Sequence, residues 1–374
     1  MEELRVAICG GGRTGHLNTV LFGQRPGVHV SLLTHHPAVL DGRQPITAYL
    51  PDGSVMQARP DLVTNDPHGA LRDADLVVVT VPAHARPALL SEIANSLPLD
   101  KPVFVGAIPG FCGFDWLAEK LLADRPNAVI WGMKDVPHTA FDLEPGTSVR
   151  MGGAKATLHV AAHARESDES RERLRALVQR LYDAPVELLR HYLEITLTPG
   201  NPIMHGAAIY GLIGPYGPWH GRALPGPVCW WTECSELSAY FLERSDEESQ
   251  RLCRTVGQRM GIDLSSVKPL KQEIVEAYGE QIADARTMLS VLRTNRAYDA
   301  IQAPMVRHAD GWRLDTDSRA FQEDVAFGLA TLVQMARRLD LTLPHLEETF
   351  AWCASHMGGL RRSACDYFPA AWPA

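Results

Sequence analysis

Short hydrophobic runs alternate with helical patterns along the first half of the chain. A helical pattern from about Thr14 to Gln24 separates the first two runs. Uninterrupted runs of valine, isoleucine and leucine are typical of parallel strands that are buried on both faces. Strands separated by helices indicate βαβ units, so the pattern predicts an α/β fold with a doubly wound parallel sheet. Five strands are predicted, at 4–10, 27–35, 76–81, 101–110 and 127–133.

The second half of the chain has a mainly helical pattern, which follows a last extended segment predicted at 185–197. A capping box at Ser245 and Glu248 predicts the start of one helix, and Gly261 predicts its end. A loop rich in glycine and proline, at 214–231, interrupts the helices, and loops of this length are usually functional or mobile. Helical patterns cover 245–261, 269–295, 321–340 and 343–357.

Length and composition predict a globular protein of two domains. A chain of 374 residues is too long for one ordinary hydrophobic core. We expect an N-terminal Rossmann domain over 1–185 and a mainly α-helical domain over 186–374. Hydrophobic residues make up 45% of the chain and charged residues 21%, the balance of a soluble protein. The net charge of −8, with no long basic run, argues against a nucleic-acid partner.

Other features exclude several classes of protein. No hydrophobic run reaches the roughly 18 residues that span a bilayer, and the N-terminus lacks the basic region and cleavage site of a signal peptide. We therefore expect a cytoplasmic protein without a membrane partner. The seven cysteines are odd in number and form no CxxC pair, which indicates reduced thiols. Because the histidines form no HExxH pattern and none pairs with cysteines at zinc spacing, no metal site is expected.

A glycine-rich segment directly follows the first predicted strand. Gly10 suits a tight turn, Gly12 lets a pyrophosphate approach the backbone, and Gly15 lets the next helix pack on the strand. The free N–H groups at the start of that helix can bind phosphates. We predict a dinucleotide site here, and the alternative is a tight glycine turn that binds nothing. The residues assigned to the site are Gly10, Gly11, Gly12, Arg13, Thr14, Gly15, Val81 and Pro82.

The end of the second predicted strand distinguishes the two nicotinamide cofactors. NAD enzymes usually place Asp or Glu there to bind the ribose hydroxyls. This strand ends in Thr34, His35 and His36, and Arg43 follows shortly. Hydroxyl, imidazole and guanidinium groups can bind the 2′-phosphate of NADP, which a carboxylate would repel. We predict NADPH as the cofactor. Asp41 keeps NADH as an alternative, and the two histidines could also be ordinary surface residues.

A histidine, an aspartate and an arginine are the candidates for chemistry in the second half. Asn201 suits an N-cap and Pro202 the first helical position, so His205 is expected one turn into a helix, near the positive end of its dipole. Asp324 could orient a histidine and raise its basicity, and Arg319 could bind a carboxylate through two hydrogen bonds. From the residues alone, His205 could equally be a packed histidine and Asp324 a carboxylate that favours a helix start.

The segments around these residues resemble the motifs of the opine dehydrogenase family, of the octopine and nopaline dehydrogenase type. That family carries an NPxxHxxG-like motif and a later SR(Y/F)xxEDVxxGL motif. Here the segments read NPIMHG at 201–206 and SRAFQEDVAFGL at 318–329, with a glycine directly after the histidine and the aromatic residue one position late. The resemblance implies that His205 is the catalytic acid–base group, paired with Asp324, and that Arg319 binds a keto-acid carboxylate.

Two further segments, GGGRTGHL and GMKDVPHTAF, are similar to bacterial opine-metallophore dehydrogenases of the staphylopine, pseudopaline and yersinopine types. This resemblance implies NADPH-dependent coupling of a histidine-derived aminobutyrate intermediate to pyruvate or 2-oxoglutarate. The amine and the keto acid would form an imine in a cleft between the domains, the cofactor would deliver hydride, and His205 would transfer the proton.

Other residues are assigned to substrate binding and to assembly. Asn201 and Tyr298 are predicted substrate contacts, although Tyr298 could instead be a packed tyrosine at a helix end. We expect a homodimer, and the aromatic residues Trp230 and Trp231 are expected to be exposed on its surface.

Two alternative functions share the predicted architecture. A carbonyl reductase of the ketopantoate-reductase or glycerol-phosphate-dehydrogenase kind would use a lysine, and Lys268 and Lys271 precede a predicted helix. A regulator that only senses NADP(H) would bind the nucleotide without turnover. The segment that contains Arg319 and Asp324 argues against the regulator.

Overall fold

The computed structural model describes residues 3–40, 44–198 and 200–373. The chain divides into two compact units, Met1–Thr196 and Leu197–Ala374. The first unit extends beyond residue 185, where the sequence suggested a boundary. The reason is that strand β12 (Val186–Leu188) pairs with β11 (Leu158–Ala162) and so belongs to the sheet of that unit.

The first unit alternates strands and helices, as the hydrophobic pattern predicted. The other strands of its main sheet are β1 (Leu4–Cys9), β2 (Val28–Leu33), β5 (Leu62–Thr64), β6 (Leu76–Val79), β7 (Val103–Ala107) and β8 (Ala128–Met133). Its helices are α1 (Arg13–Gly23), α2 (Pro67–Leu71), α3 (Arg86–Ile93), α4 (Phe114–Leu121), α5 (Asp168–Leu181) and α6 (Leu193–Thr196). The five predicted strands correspond to β1, β2, β6, β7 and β8.

The strand order of the main sheet confirms the predicted fold class. The order is β5-β2-β1-β6-β7-β8, followed by β11 and β12. The first six strands are parallel, whereas β11 runs antiparallel to β8. This is the order 3-2-1-4-5-6 of a doubly wound Rossmann sheet. The order reverses between β1 and β6, and such sheets bind ligands beyond the carboxyl ends of the strands at that point.

Burial on both faces of the main sheet explains the uninterrupted hydrophobic runs. Every residue of β6 and of β7 is buried. Because successive side chains of a strand point to opposite faces, such a strand needs apolar residues at every position. Helix α1 is also buried, from Gly15 to Phe22, because it contacts strands of the main sheet and of a second sheet.

The second sheet of this unit was not predicted from the sequence. It has the order β4-β3-β10-β9, with β3 and β10 parallel and the other two pairs antiparallel. No residue of β9 is fully buried, so the hydrophobic pattern of this strand is weak. The strands are β3 (Ile46–Tyr49), β4 (Val55–Ala58), β9 (His138–Glu144) and β10 (Ser148–Ala154).

The second unit is mainly helical, as predicted. Its elements are α7 (Asn201–Ile213), α8 (Glu236–Met260), α9 (Leu270–Tyr278), α10 (Met288–Thr294), a hairpin of β13 (Met305–His308) and β14 (Gly311–Leu314), a π-helix (Ala320–Leu329), α11 (Ala330–Arg338) and α12 (Pro344–His356). The predicted loop at 214–231 contains no helix or strand of this set. Within the described part of the chain, every helix is too short or too polar to cross a membrane.

The predicted capping box at Ser245 and Glu248 is wrong, because both residues lie in the middle of α8. That helix begins after Ser235, whose hydroxyl accepts a hydrogen bond from the backbone N–H of Ser238 at 3.0 Å. The predicted end of the helix is confirmed, since Gly261 has a left-handed φ of +66°.

Two carboxylates near the predicted box cap the starts of other helices. Asp246 Oδ2 accepts the backbone N–H of Leu270 at the start of α9, at 2.9 Å. The carboxylate of Glu248 accepts the backbone N–H groups of His345 at 3.1 Å and Leu346 at 2.9 Å, at the start of α12. Helix α8 therefore supplies hydrogen-bond acceptors to N–H groups that have no partner within the first turns of two neighbouring helices.

Three predicted elements are shorter than expected. The helical pattern at 269–295 is broken into α9 and α10, because Thr287 and Ser290 form a capping box that starts a new helix. The pattern at 321–340 divides into the π-helix and α11. The segment at 185–197 is extended only over β12, because Glu194 accepts the backbone N–H of His191 at 2.8 Å and the short helix α6 follows.

Candidate active site

Six of the predicted nucleotide residues line one cavity at the carboxyl end of the main sheet. Its volume is about 220 Å³, and it lies where β1, β2 and β6 end. This is the point at which the strand order reverses. The sequence did not identify Asn65, Leu89 or Glu92, because these come from segments without a recognisable motif. The cavity is lined by Gly10, Gly11, Leu33, Thr34, His35, His36, Asn65, Val81, Leu89 and Glu92.

The glycines of the turn have the geometry that a dinucleotide requires. Gly10 has a φ of +130°, and a Cβ atom there would lie 2.6 Å from Thr80 Oγ1. A Cβ atom at Gly15 would lie 1.9 Å from the carbonyl oxygen of Gly10, so only glycine allows α1 to approach β1. By contrast, no described atom outside Gly12 and its two chain neighbours lies within 4 Å of a Cβ atom built on Gly12. That open space fits the close approach of a pyrophosphate.

Helix α1 begins at this turn with its N–H groups uncapped. Among the described residues, no side chain caps its start and no acidic residue lies in its first turn. Arg13 is exposed and Thr14 is half-buried in that first turn. Half-buried Val81 and Pro82 follow β6 on the other side of the reversal point. The turn, the helix dipole and the open space together fit an anionic dinucleotide.

The end of β2 presents imidazoles rather than a carboxylate. His35 and His36 are exposed, and Thr34 Oγ1 accepts the backbone N–H of His36 at 3.3 Å. Arg43 and Asp41, the other residues considered for cofactor choice, lie outside the described residues. Glu92 is the carboxylate among the residues that line the cavity.

The second unit brings His205 and Asp324 together. His205 lies on α7 and Asp324 on the π-helix, 119 positions later, and the Nδ1–Oδ2 distance is 2.7 Å. Because a carboxylate can only accept, the imidazole donates its Nδ1–H and keeps Nε2 for another partner. The side chains are 17% and 3% exposed, respectively.

Burial determines the electrostatic state of Asp324. Burial raises the pKa of this carboxyl above its usual value, and the pairing with His205 opposes that rise. Its other oxygen, Oδ1, has no hydrogen-bond partner among the described residues. A carboxylate held in this way depends strongly on the one hydrogen bond from His205.

Close approach of two helices makes the pair possible. A Cβ atom at Gly206 would lie 2.7 Å from Leu329 Cδ1 of the π-helix and 3.3 Å from Thr349 Cγ2 of α12. The glycine after His205, a departure from the family motif, therefore lets α7 approach the helix that carries Asp324. The prediction that Asn201 is the N-cap is wrong. Helix α7 already begins at Asn201, and its N-cap is Gly200.

Arg319 pairs with a different carboxylate of the π-helix. Its Nε and Nη2 atoms lie 2.6 and 2.5 Å from Glu323 Oε2. Glu323 and Asp324 are adjacent and nearly fully buried, yet each carboxylate has its own partner. The Arg319 side chain is 60% exposed, so its remaining N–H groups are accessible to a ligand.

Two tryptophans expected on the surface are buried against the catalytic candidate, so that prediction is wrong. Trp230 and Trp231 are 6% and 4% exposed. Their rings lie nearly parallel to the imidazole of His205, at centroid distances of 4.5 and 5.5 Å. The exposed tryptophans were the basis for expecting a homodimer, so the homodimer stays a prediction without that support. Tyr298 contacts Trp231, at 6.0 Å between ring centroids, and its contact with substrate also stays a prediction.

The residues required by the other chemistries have different surroundings. Lys268 Nζ pairs with Glu276 at 2.6 Å, and Lys271 Nζ donates to the carbonyl of Arg286 at 3.0 Å. Across residues 3–40, 44–198 and 200–373, no three histidine, cysteine, aspartate or glutamate side chains lie close enough to hold a metal ion.

Comparison with known proteins gives consistent results. A family model described as NAD/NADP octopine/nopaline dehydrogenase, alpha-helical domain, matches residues 188–357. An uncharacterised protein, y4xO, of Sinorhizobium fredii (strain NBRC 101917 / NGR234) is 54% identical over 376 residues and covers 99% of both chains. The octopine dehydrogenase of Mizuhopecten yessoensis is 28% identical over 373 residues, which are 95% of this chain and 90% of the relative.

Solved structures share the fold. Octopine dehydrogenase with NADH and L-arginine superposes with a TM-score of 0.81 at 24% identity, over 95% of this chain and 90% of the other. Yersinopine dehydrogenase with bound NADP⁺ gives a TM-score of 0.69 at 14% identity, over 95% and 92%.

A doubly wound sheet with a GxGxxG turn, followed in the same chain by a helical unit with a histidine–aspartate pair, defines a dehydrogenase that uses NAD or NADP. The motifs, the matched family model and the relatives then specify the class further. The chain belongs to the opine dehydrogenase family. It is an NAD(P)H-dependent opine dehydrogenase, and its chemistry is reductive condensation.

Proposed function

We propose that the protein uses NADPH to condense an α-keto acid with the amine of an amino-acid-derived substrate, giving an opine. The observation that carries this proposal is the hydrogen bond between His205 and Asp324. It leaves one nitrogen of a partly exposed imidazole for proton transfer and fixes the plane of the ring.

The reaction forms one C–N bond and needs one reduction. The amine attacks the keto carbon, and loss of water gives an imine. Bound NADPH supplies the hydride that reduces the imine carbon. Nε2 of His205 transfers a proton between solvent and the reacting nitrogen, while Asp324 keeps the opposite nitrogen protonated.

Arg319 is the proposed group for the keto-acid carboxylate. Its contacts with Glu323 hold one side of the guanidinium and leave other N–H groups for a ligand. Asn201, exposed at the start of α7, and Tyr298 are the further proposed substrate contacts.

NADPH is proposed because of the end of β2. His35 and His36 stand where NAD enzymes carry an acidic residue, and both line the cavity. The test is kcat/KM for NADPH and for NADH with the same substrates. A preference for NADPH of tenfold or more supports the proposal, and equal values or a preference for NADH contradict it.

The keto acid is proposed to be pyruvate or 2-oxoglutarate, and the product an opine metallophore. The support is the similarity of GGGRTGHL and GMKDVPHTAF to the metallophore enzymes. The test follows NADPH oxidation with both keto acids against a panel of amines that includes histidine-derived aminobutyrates, with amine-free controls.

Each outcome of this screen has a meaning. Oxidation that requires both substrates supports the condensation, whereas oxidation by keto acid alone indicates a carbonyl reductase. Tight NADPH binding without turnover for any pair indicates a sensing protein. Preference for an amine such as arginine over the histidine-derived amines would retain the reaction and reject the metallophore.

A further inference from the structure

His16 is a fully buried histidine with no role in the proposed reaction. It lies on α1, directly after Gly15, and its exposed fraction is 0%. Buried histidines need hydrogen-bond partners for both ring nitrogens, because an unpaired buried polar atom costs free energy. His16 has a partner on each side, and one of them is the glycine turn itself.

The partners of His16 determine its tautomer. Nδ1 lies 3.1 Å from the carbonyl oxygen of Gly12, which can only accept. Nε2 lies 2.9 Å from the backbone N–H of Gly146, which can only donate. The ring is therefore neutral, with its proton on Nδ1. Burial lowers the pKa of His16, in agreement with this state, and hydrogen bonds with the backbone at Gly12 and Gly11 oppose the shift.

The two contacts join separate parts of the first unit. Gly12 is the residue at which the nucleotide turn meets α1, and its carbonyl also accepts the backbone N–H of His16 at 2.9 Å. Gly146 lies in the turn between β9 and β10, with a φ of +78°. His16 therefore holds the carbonyl of Gly12 through two hydrogen bonds, one from its ring and one from its backbone N–H.

We propose that His16 is a positioning residue for the dinucleotide, which it serves by fixing the Gly12 peptide against the β9–β10 turn. This rests on the proposed nucleotide site. With its carbonyl held by two hydrogen bonds, the Gly12 peptide is oriented before the ligand arrives. The N–H groups that follow it remain directed away from the helix, and less ordering is needed when a pyrophosphate binds.

The experiment compares two substitutions of His16. In His16→Gln the amide can donate to Gly12 and accept from Gly146, whereas in His16→Leu the side chain can do neither. We expect His16→Leu to weaken NADPH binding by about tenfold, in line with a lost buried hydrogen bond. Its kcat at saturating NADPH should stay within about twofold. His16→Gln should stay within about threefold of the parent in NADPH binding.

His163→Leu is a matched control, because His163 is another buried histidine of the same unit and follows β11, away from the cavity. It should leave the Kd for NADPH unchanged even if it lowers the Tm. Parent-like binding by His16→Leu would overturn the proposal. So would binding by His16→Gln as weak as that of His16→Leu, or an equal loss in His163→Leu.

Binding is measured by fluorescence titration without keto acid or amine, so the result does not depend on the reaction. A parent protein that binds neither NADPH nor NADH would overturn both proposals, whereas binding without turnover would overturn only the condensation. If His16→Leu does not fold, ¹⁵N NMR of the histidine rings in the parent decides. A neutral ring protonated at Nδ1 supports the proposal, and a proton on Nε2 overturns it.

Discussion

The cofactor cavity and the catalytic pair are constructed in different ways. The glycine turn beside the cavity is shaped by backbone: Gly10 and Gly15 allow close approach, and the open space at Gly12 leaves room for phosphate. The catalytic pair is made of side chains that lie 119 positions apart and meet through the packing of two helices. The glycine turn is encoded in consecutive residues, whereas the side-chain pair depends on the whole unit around it. Substitutions in the glycine turn should therefore change NADPH binding, whereas substitutions in the catalytic pair should change kcat.

The largest effect is expected at His205. His205→Ala should lower kcat by about a hundredfold to ten-thousandfold, because the group that transfers the proton is removed. The Kd for NADPH should stay within about twofold, since the cavity belongs to the other unit. Asp324→Asn should also reduce kcat, because the neutral amide lacks the negative charge that stabilises a protonated imidazole, and its NH2 group can favour the opposite tautomer. Near-normal turnover in His205→Ala would remove this residue from the mechanism.

A smaller effect, and the opposite pattern, is expected at Gly12. Gly12→Ala should weaken NADPH binding by about tenfold or more, because the methyl group occupies space that the pyrophosphate needs. The Tm should hardly change, since no described atom outside Gly12 and its two chain neighbours lies within 4 Å of the added Cβ atom. Gly153→Ala is the matched control, with equally open surroundings but in β10, away from the glycine turn. Equal NADPH binding by both variants would contradict the assignment of the glycine turn to the dinucleotide.

A moderate effect is expected at Trp230, whose ring lies 4.5 Å from that of His205 at an interplanar angle of 10°. Trp230→Leu should lower kcat by about three- to tenfold, because a stacked ring holds the imidazole plane. Trp230→Phe should recover most of that loss. Trp219→Leu, in the same loop, should have little effect on kcat. The stacking has no catalytic role if Trp230→Phe and Trp230→Leu behave alike.

The smallest effect concerns stability in the second unit. Burial raises the pKa of Asp246 to about 6, so the folded protein binds this proton more tightly than the unfolded chain does. The contribution of Asp246 to stability is therefore present at low pH and is lost as pH rises from about 4 through 6. Asp246→Asn does not titrate. Its free energy of unfolding, relative to the parent, should increase by about 1 kcal/mol between pH 5 and 7.5. A difference independent of pH would contradict this.

The same contrast explains what could be predicted from the sequence. The glycine turn and the five strands are local patterns, and the structure has them where the sequence indicated. The proximity of His205 and Asp324 was suggested by a family resemblance and not by spacing. This proximity depends on Gly206, because a side chain there would collide with Leu329 of the π-helix. That contact joins residues far apart in the sequence.

Other features had no local pattern to reveal them. Trp230 and Trp231 end a loop without periodicity, so their burial depends on packing that the sequence does not display. The second sheet joins hairpins that are distant in sequence, and most residues of its strands are exposed or only partly buried. Ser245 and Glu248 have the spacing of a capping box, which suggested a helix start within α8. In the structure, the carboxylates of Asp246 and Glu248 instead cap two other helices.

The caps provided by α8 should make helices of the second unit open cooperatively. One turn of that helix holds the first N–H groups of α9 through Asp246 and of α12 through Glu248. Helix α12 in turn packs on α7 and on the π-helix, which carry His205 and Asp324. Local unfolding of that turn would release the starts of both helices at once. We therefore expect α8, α9 and α12 to open as a single unit in hydrogen exchange. The distance between the catalytic side chains is then maintained by the folding equilibrium of a helix that contains neither of them.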